Sequence, residues 1–323
     1  MGDGEIIRNK QTSFQMVDLR NALKNIEKEL DMLVKRLGKK VMLCIFLFIC
    51  LLTFVRISHG AQKHVTIAIL PCRDVAMVFM KFNPLATYLR QETGLDVRLV
   101  VPKDSIAFEK DVINGDIDFA FQDPYTYVRM AKLYDRDALL RGLTRDGEKV
   151  QSGVVIARKD SGTNTVEDLK GKTVMFGPKL SATTWVVAKL LFEQRGINID
   201  KDLRAYSNGK CCEDIAFNVY IKAVDAGVVC DHFLEEHSEK HQELGIDPKD
   251  IVVIGRTKLI PTNIFAANRN VNKDVIAVIS QALLRLEKEK QEHKKILYPA
   301  ELGGFEKARD EDYDDVRMLI EES

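Results

Sequence analysis

The chain has 323 residues, with 48 basic and 48 acidic side chains and a formal charge of zero. That balance argues against nucleic-acid binding, which calls for a basic surface, and an apolar share of 46% argues against disorder. Six cysteines in this length do not amount to a disulfide scaffold.

Near the start, Met16, Leu19, Leu23, Ile26, Leu30, Leu33 and Leu37 alternate spacings of three and four, an a/d heptad seam. Residues 1–40 are therefore expected as a cytoplasmic coiled-coil segment that forms a homodimer; a single amphipathic helix is the plainer alternative. VMLCIFLFICLLTFV (41–55) follows, with Lys35, Arg36, Lys39 and Lys40 before it and Ser58, Gly60 and Ala61 after it. A basic flank, an apolar core and small residues suit an export signal. Over 41–58 they also suit a tilted membrane anchor, and the flank places everything after it outside the cytoplasm. The heptad favours a retained anchor over a cleaved signal, while Met32 is an alternative start for an ordinary signal sequence.

From residue 64 onward strands alternate with helices. HVTIAILP (64–71) reads as a strand, 81–93 as a helix stopped by Gly94, DVRLVVP as a strand and 104–114 as a helix stopped by Gly115. DIDFAFQD is the next strand, and Pro124 opens a helix through Leu133. A second set holds strands at 152–158 and 173–176, helices at 181–194 and 213–222, and the strands AGVVCD, IVVIGRT and NIFAAN. Helices over 273–292 and 312–321 end the chain. The alternation predicts an α/β fold with largely parallel sheets. Its length predicts two lobes: 64–150, 151–258, and a return to the first lobe over 259–323.

The stretch FGPKLSATTWVVAKLLFEQRG (176–196) runs from a strand into an apolar helix, with Ser181, Thr183 and Thr184 at the junction. Taken alone, simple capping is the plainer reading, since every helix needs a cap, though one cap uses only one hydroxyl. Three hydroxyls, unpaired backbone N–H groups and the helix dipole together suit an oxyanion.

Read with FQDPYTYVRMAKLY (121–134), KAVDAGVVCD (222–231) and GFEKARDEDYDDVRMLI (304–320), this stretch resembles the phosphonate, phosphite and phosphate-type periplasmic substrate-binding proteins of ABC transporters. The resemblance implies a two-lobed periplasmic-binding-protein fold of type 2, with a hinge and an interlobe cleft that closes on ligand. It implies that Ser181, Thr183 and Thr184 hold the anion. Tyr127, with Tyr125 beside it, would supply a hydroxyl donor and a water-excluding ring; a half-buried helix face is the plainer reading of both. Asp225 would meet a ligand ammonium. A ligand-facing histidine of the family falls on Cys212, followed by Glu213, so this chain departs from the pattern at a contact residue.

The cysteines allow four readings: buried core, a disulfide from Cys211 or Cys212 to Cys230 or Cys72, ligation of a soft ion, or redox sensing. Burial or a disulfide is expected first, and His232 and His237 in DHFLEEH read as a solvated helix. No GxSxG, P-loop or HExxH motif is present, so no enzyme, cofactor or metal site is expected. The expected function is capture of a small oxyanion for an ABC permease, at the periplasmic face of the inner membrane or in the periplasm. The alternatives are a ligand-sensing partner of a membrane histidine kinase, or a binder of a thiophilic ligand such as arsenite through Cys211 and Cys212.

Overall fold

The computed structural model describes residues 23–32, 35, 36, 38, 64–71, 74–236 and 245–321. The chain divides into Met1–Gln62 and Lys63–Ser323. In the first unit residues 23–32 are helical, and Leu23, Ile26 and Leu30 of the expected seam are exposed. Met16, Leu19, Leu33, Leu37 and the apolar run 41–58 lie outside the described residues. Among the described residues no helix is long and apolar enough to cross a membrane.

Two sheets organise the second unit. Strands β1 (Val65–Ile69), β2 (Val97–Val100), β3 (Phe119–Gln122) and β4 (Leu139–Leu143) join β12 (Ile264–Ala267) and β13 (Gly304–Ala308) in the order β13-β4-β12-β3-β1-β2. The second sheet has the order β10-β6-β9-β7-β8. Its strands are β6 (Gly153–Arg158), β7 (Thr173–Phe176), β8 (Ala205–Asn208), β9 (Ala226–Cys230) and β10 (Ile251–Arg256). The chain crosses between the sheets twice. The crossings pair with each other as a short antiparallel ribbon, β5 (Val150–Gln151) against β11 (Ile260–Pro261). This is the two-lobed α/β architecture with a two-segment hinge.

The sheets are more mixed than the alternation predicts. β2-β1-β3 and β8-β7-β9 are parallel, but β12 runs antiparallel to β3 and β4, β13 to β4, β6 to β9 and β10 to β6. The reversals accompany the crossings, where a strand enters its sheet from the other lobe instead of from a covering helix. In the first lobe α1 (Val75–Thr93) begins six residues before the expected start. Asp74 caps it, accepting from the N–H groups of Ala76 and Met77 at 2.9 and 3.3 Å. Met77, Phe79 and Met80 are exposed, which hid the helical periodicity, and Pro84 is tolerated inside the helix.

The helix expected over 273–292 is two, α7 (Lys273–Leu284) and α8 (Gln291–Leu297), because the intervening backbone bridges from Glu287 to Gly304 of β13. Ahead of the helix expected over 312–321, the stretch 304–320 contributes strand β13 before it reaches α9 (Asp314–Glu321). The first-lobe sheet is covered on one face by α1 and α7. Its other face meets α2 (Ser105–Asn114) and α3 (Pro124–Met130), with Phe108, Tyr127 and Tyr313 among the buried side chains. The second lobe is covered on one face by α4 (Val187–Gln194) and on the other by α5 (Cys212–Tyr220).

Candidate ligand-binding site

The carboxyl ends of β1, β3, β7 and β9 converge on one cavity of about 350 Å³. Its wall draws on the first lobe through Leu70, Phe82, Gln122 and Asp123, and on the second through Ser181, Thr183, Thr184, Cys211, Cys212 and Cys230. Open α/β sheets place their ligands at such strand ends.

The hydroxyl cluster is built by local geometry. Ser181 caps the helix start, its Oγ accepting from the Thr184 N–H at 3.2 Å, while the Thr184 hydroxyl donates to the same Oγ at 2.9 Å. The N–H groups of Trp185 and Val186 both donate to the Ser181 carbonyl, which widens the first turn into a π turn over Ala182–Val186. Strand β7 reaches this turn through Gly177, where a Cβ would lie 1.8 Å from the Thr184 Oγ1. Thr183 and Thr184 are 2% and 3% exposed and both line the cavity.

Sequence reasoning missed Asp123. It caps α3, with its Oδ1 accepting from the Tyr125 N–H at 2.8 Å. The same carboxylate crosses the cleft and accepts the Ala182 N–H at 3.0 and 3.1 Å through its two oxygens. A first-lobe acid thus holds a donor at the start of the second-lobe helix. Burial pushes its carboxyl up to about 7, against the downward pull of those two N–H groups. Lys81, Lys179, Lys210 and His232 also line the cavity. Lys81 pairs with Glu301 at 2.5 Å, and the Lys179 ammonium lies 6.0 Å from the centre of the Trp185 ring. His232, expected on a solvated helix, is only 25% exposed at its side chain and stands on the wall because α6 (Asp231–Glu236) starts at the cleft end of β9.

Cys211, Cys212 and Cys230 all line the cavity wall, and no disulfide joins Cys212 to Cys230. The Cys230 N–H donates to the Cys212 Sγ at 3.3 Å. A hydrogen bond from the Cys230 thiol, opposed by burial and helped by that N–H and by His232, holds the Cys212 thiol below its ordinary range. The same bond, with burial added, pushes Cys230 well up. Cys72 lies outside the described residues.

Four residues expected at the ligand stand elsewhere. Tyr127 is fully buried in the first-lobe core, where its hydroxyl donates to Asp310 at 2.6 Å and its ring meets Tyr313 edge-on with centroids 5.2 Å apart. Tyr125 is half-buried in the apolar contact between the lobes, with Ala182, Val186 and Val316. Asp225 precedes β9 and so lies at the end of that strand away from Cys230. There it accepts from the Thr173 N–H and hydroxyl at 2.7 and 2.8 Å and from Arg204 at 3.2 Å. Burial raises its carboxyl, but these bonds and Lys172 outweigh that and hold it below the usual range. Glu213 is half-buried on α5 and is not part of the cavity wall. Among the described residues no cluster of three histidine, cysteine or acidic side chains is arranged to hold a metal.

The family profile of the ABC-transporter phosphonate periplasmic substrate-binding proteins matches residues 67–313. The tetrathionate sensor histidine kinase TtrS of Salmonella typhimurium is 27% identical over 207 residues, 61% of this chain but 34% of that protein, so the chain spans about a third of the kinase's length. The phosphate-import protein PhnD of Mycolicibacterium smegmatis is 22% identical over 232 residues, 68% of this chain and 70% of that protein. Among solved structures, PhnD1 of Prochlorococcus marinus in complex with methylphosphonate superposes with a TM-score of 0.71 at 16% identity, covering 81% of this chain and 98% of that one. The binding-protein component of a phosphonate ABC transporter from Pseudomonas aeruginosa gives 0.68 at 18% identity, covering 80% and 86%. With the second sheet, nearly all of the first, both crossings and the cavity inside the matched span, the chain belongs to the family of ABC-transporter phosphonate periplasmic substrate-binding proteins.

Proposed function

We propose that the protein captures a small oxyanion in the interlobe cavity and hands it to an ABC permease at the periplasmic face of the inner membrane. The observation that carries this reading is the hydroxyl-rich helix start, with Ser181, Thr183 and Thr184 lining a cavity of about 350 Å³ at the strand ends. Lys179 and Lys210 on the same wall add positive charge. Short hydroxyls at the positive end of a helix, beside lysine ammonium groups, suit a tetrahedral anion and require no cofactor. The PhnD relatives, one named for phosphate import and one bound to methylphosphonate, support the same ligand class. Residues 41–58 would tether the protein to the membrane, and residues 1–40 would pair it with a second copy in the cytoplasm.

Ligand that binds only the folded state raises the melting temperature. The test is a thermal-shift screen of the full chain with phosphate, phosphite, methylphosphonate and sulfate, followed by calorimetric titration. Ser181→Ala combined with Thr184→Val should weaken the bound anion by about 100-fold, the loss of roughly two anion hydrogen bonds. Unchanged affinity in a folded double variant removes the cradle from the site.

A second reading rests on the three cavity-lining thiols. Cys212, with Cys230 against it, supplies a soft donor pair suited to a thiophilic ligand such as arsenite. In that case the closed form would address a sensor histidine kinase, the class to which the Salmonella relative belongs. A melting shift with arsenite that disappears in Cys212→Ser, with none for phosphorus oxyanions, would favour it.

A further inference from the structure

Resting on the oxyanion reading of the cavity, we propose that Cys212 and Cys230 form a thiol–disulfide exchange site for small disulfides, and that oxidising the pair raises the affinity of the cavity for its anion.

The two cysteines arrive from different elements. Cys230 closes β9 at its cleft end, in register opposite Gly153 of β6. Cys212 opens α5, whose Ile215 packs so tightly on β9 that a Cβ on Gly227 would lie 2.4 Å from its Cγ2. The helix start is thereby fixed on the strand, and the Cys230 N–H reaches the Cys212 Sγ at 3.3 Å. Both side chains are half-buried and line the cavity that Ser181, Thr183 and Thr184 also line. A reversible disulfide needs two sulfurs held side by side and a path for the oxidant. The packed helix supplies the first and the cavity the second.

The two thiols differ in role. The thiol and the N–H of Cys230 both donate to Cys212, which makes Cys212 the thiolate and the attacking group. Its sulfur displaces one thiolate from the small disulfide and becomes a mixed disulfide. The released thiolate takes the Cys230 proton, the Cys230 sulfur attacks the Cys212 Sγ, and the second small thiolate leaves. One protein thiolate, one protein thiol and one small disulfide thus become a protein disulfide, a small thiol and a small thiolate. In the reduced pair the bond to Cys212 keeps the proton on Cys230. The first step removes that bond and the neighbouring charge, so Cys230 is freed to finish the exchange.

Charge links the exchange to the anion. His232 and Glu213 stand beside Cys212, Asp231 and Asp123 beside Cys230, and Lys210 on the same wall. A thiolate at Cys212 adds one more negative charge to an anion cavity already flanked by acids. A disulfide is neutral and does not titrate. Oxidation therefore removes a repulsion and involves neither the Ser181 nor the Thr184 hydroxyl. In an oxidising compartment the protein retains its anion, and where thiols are abundant it releases it.

The test uses the full chain, either reduced with a dithiol or oxidised with glutathione disulfide and freed of reagent, at about pH 8, near the ordinary thiol range. Tryptic digestion without reduction should join peptide 211–222 to peptide 223–240, and fragmentation should place the bond on Cys212 and not on Cys211. In Cys230→Ser the exchange should stop halfway, with glutathione bound to Cys212. Calorimetric titration with phosphate, methylphosphonate and sulfate should show the oxidised chain binding about tenfold more tightly than the reduced one. Cys212→Ser should lose this dependence on redox state. If Cys212 and Cys230 do not pair, or Cys211 takes the place of Cys212, the exchange site is overturned. A bond that forms and leaves anion affinity equal in both states overturns the coupling, while the oxyanion reading stands. If neither state binds any of the three anions, the oxyanion reading falls and the coupling with it, and the peptide map still decides the exchange site.

Discussion

Gly177 and Thr184 approach so closely that a side chain on the glycine would overlap the threonine hydroxyl, 1.8 Å from a Cβ. The end of β7 and the first turn of the second-lobe helix are thereby fixed against each other, with the Gly177 N–H also donating to the Thr184 carbonyl at 3.1 Å. Gly177→Ala should cost roughly 1–3 kcal/mol by overpacking and displace the hydroxyl cluster. Denaturant unfolding with anion titration checks this, and wild-type values of both would refute the close fit.

The burial of Asp123 makes the unliganded protein sensitive to pH in a direction opposite to most acids. Its carboxyl titrates at about 7 when folded and at 3.8 in the ordinary state. Between those values the folded chain binds more protons than the unfolded one, so stability falls as pH rises through that window. The gap corresponds to on the order of 4 kcal/mol as an upper bound. Urea unfolding between pH 4 and pH 8 should show the decline, and Asp123→Asn should flatten it. A variant that follows the wild-type profile would assign the decline to other groups.

Cys212 should be the reactive thiol of the cavity. With the Cys230 N–H and thiol donating to it, its thiolate forms below the ordinary cysteine range, while Cys230 stays protonated. Iodoacetamide near neutral pH should label Cys212 first, and Cys230→Ala should move the labelling of Cys212 to higher pH. Mass spectrometry of the labelled peptides reads both outcomes, and preferential labelling of Cys230 contradicts the assignment.

Tyr127 and Asp225 should matter to the fold alone. Tyr127→Phe removes a hydroxyl that donates to Asp310 at 2.6 Å, and a bond to a charged acceptor is worth roughly 1.5–3 kcal/mol. Asp225→Asn weakens three bonds at the end of β9 remote from the cavity. Both variants should melt lower and bind the anion as wild type does. A large loss of affinity in either, at intact fold, would return that residue to the ligand.

What the sequence disclosed follows from how each segment is buried. β1 and β12 are short runs of mainly Val, Ile, Phe and Ala, buried throughout, so they stand out from composition. β4 reads LLRGL, and its Arg141 is buried only because Asp312 at 2.5 Å and Glu306 at 3.7 Å neutralise it from elsewhere in the fold. No local rule anticipates a buried arginine in a strand. β8 reads AYSN at a sheet edge, where exposure removes the apolar signal. At the site, Ser181, Thr183 and Thr184 were legible because hydroxyls cluster where a strand meets a helix. Asp123 was not, because Asp-Pro before a helix is fully accounted for by capping. The family motif pointed to Tyr127 and Asp225, but burial and strand direction placed them away from the cavity.

The double crossing has a consequence for how the protein is made. The second lobe is one uninterrupted stretch from β6 to β10, so its contacts are available as soon as that stretch exists. The first lobe is not. β4 hydrogen-bonds only to β12 and β13, and β12 fills the gap between β3 and β4. Until residues 264–308 are synthesised, β4 has no neighbour and β3 carries an open edge. The lobe that begins first is therefore completed last, and its formation is set by long-range closure over more than a hundred residues, the slow regime of folding. A nascent chain stopped before β12 presents a finished second lobe beside an unpaired, aggregation-prone edge.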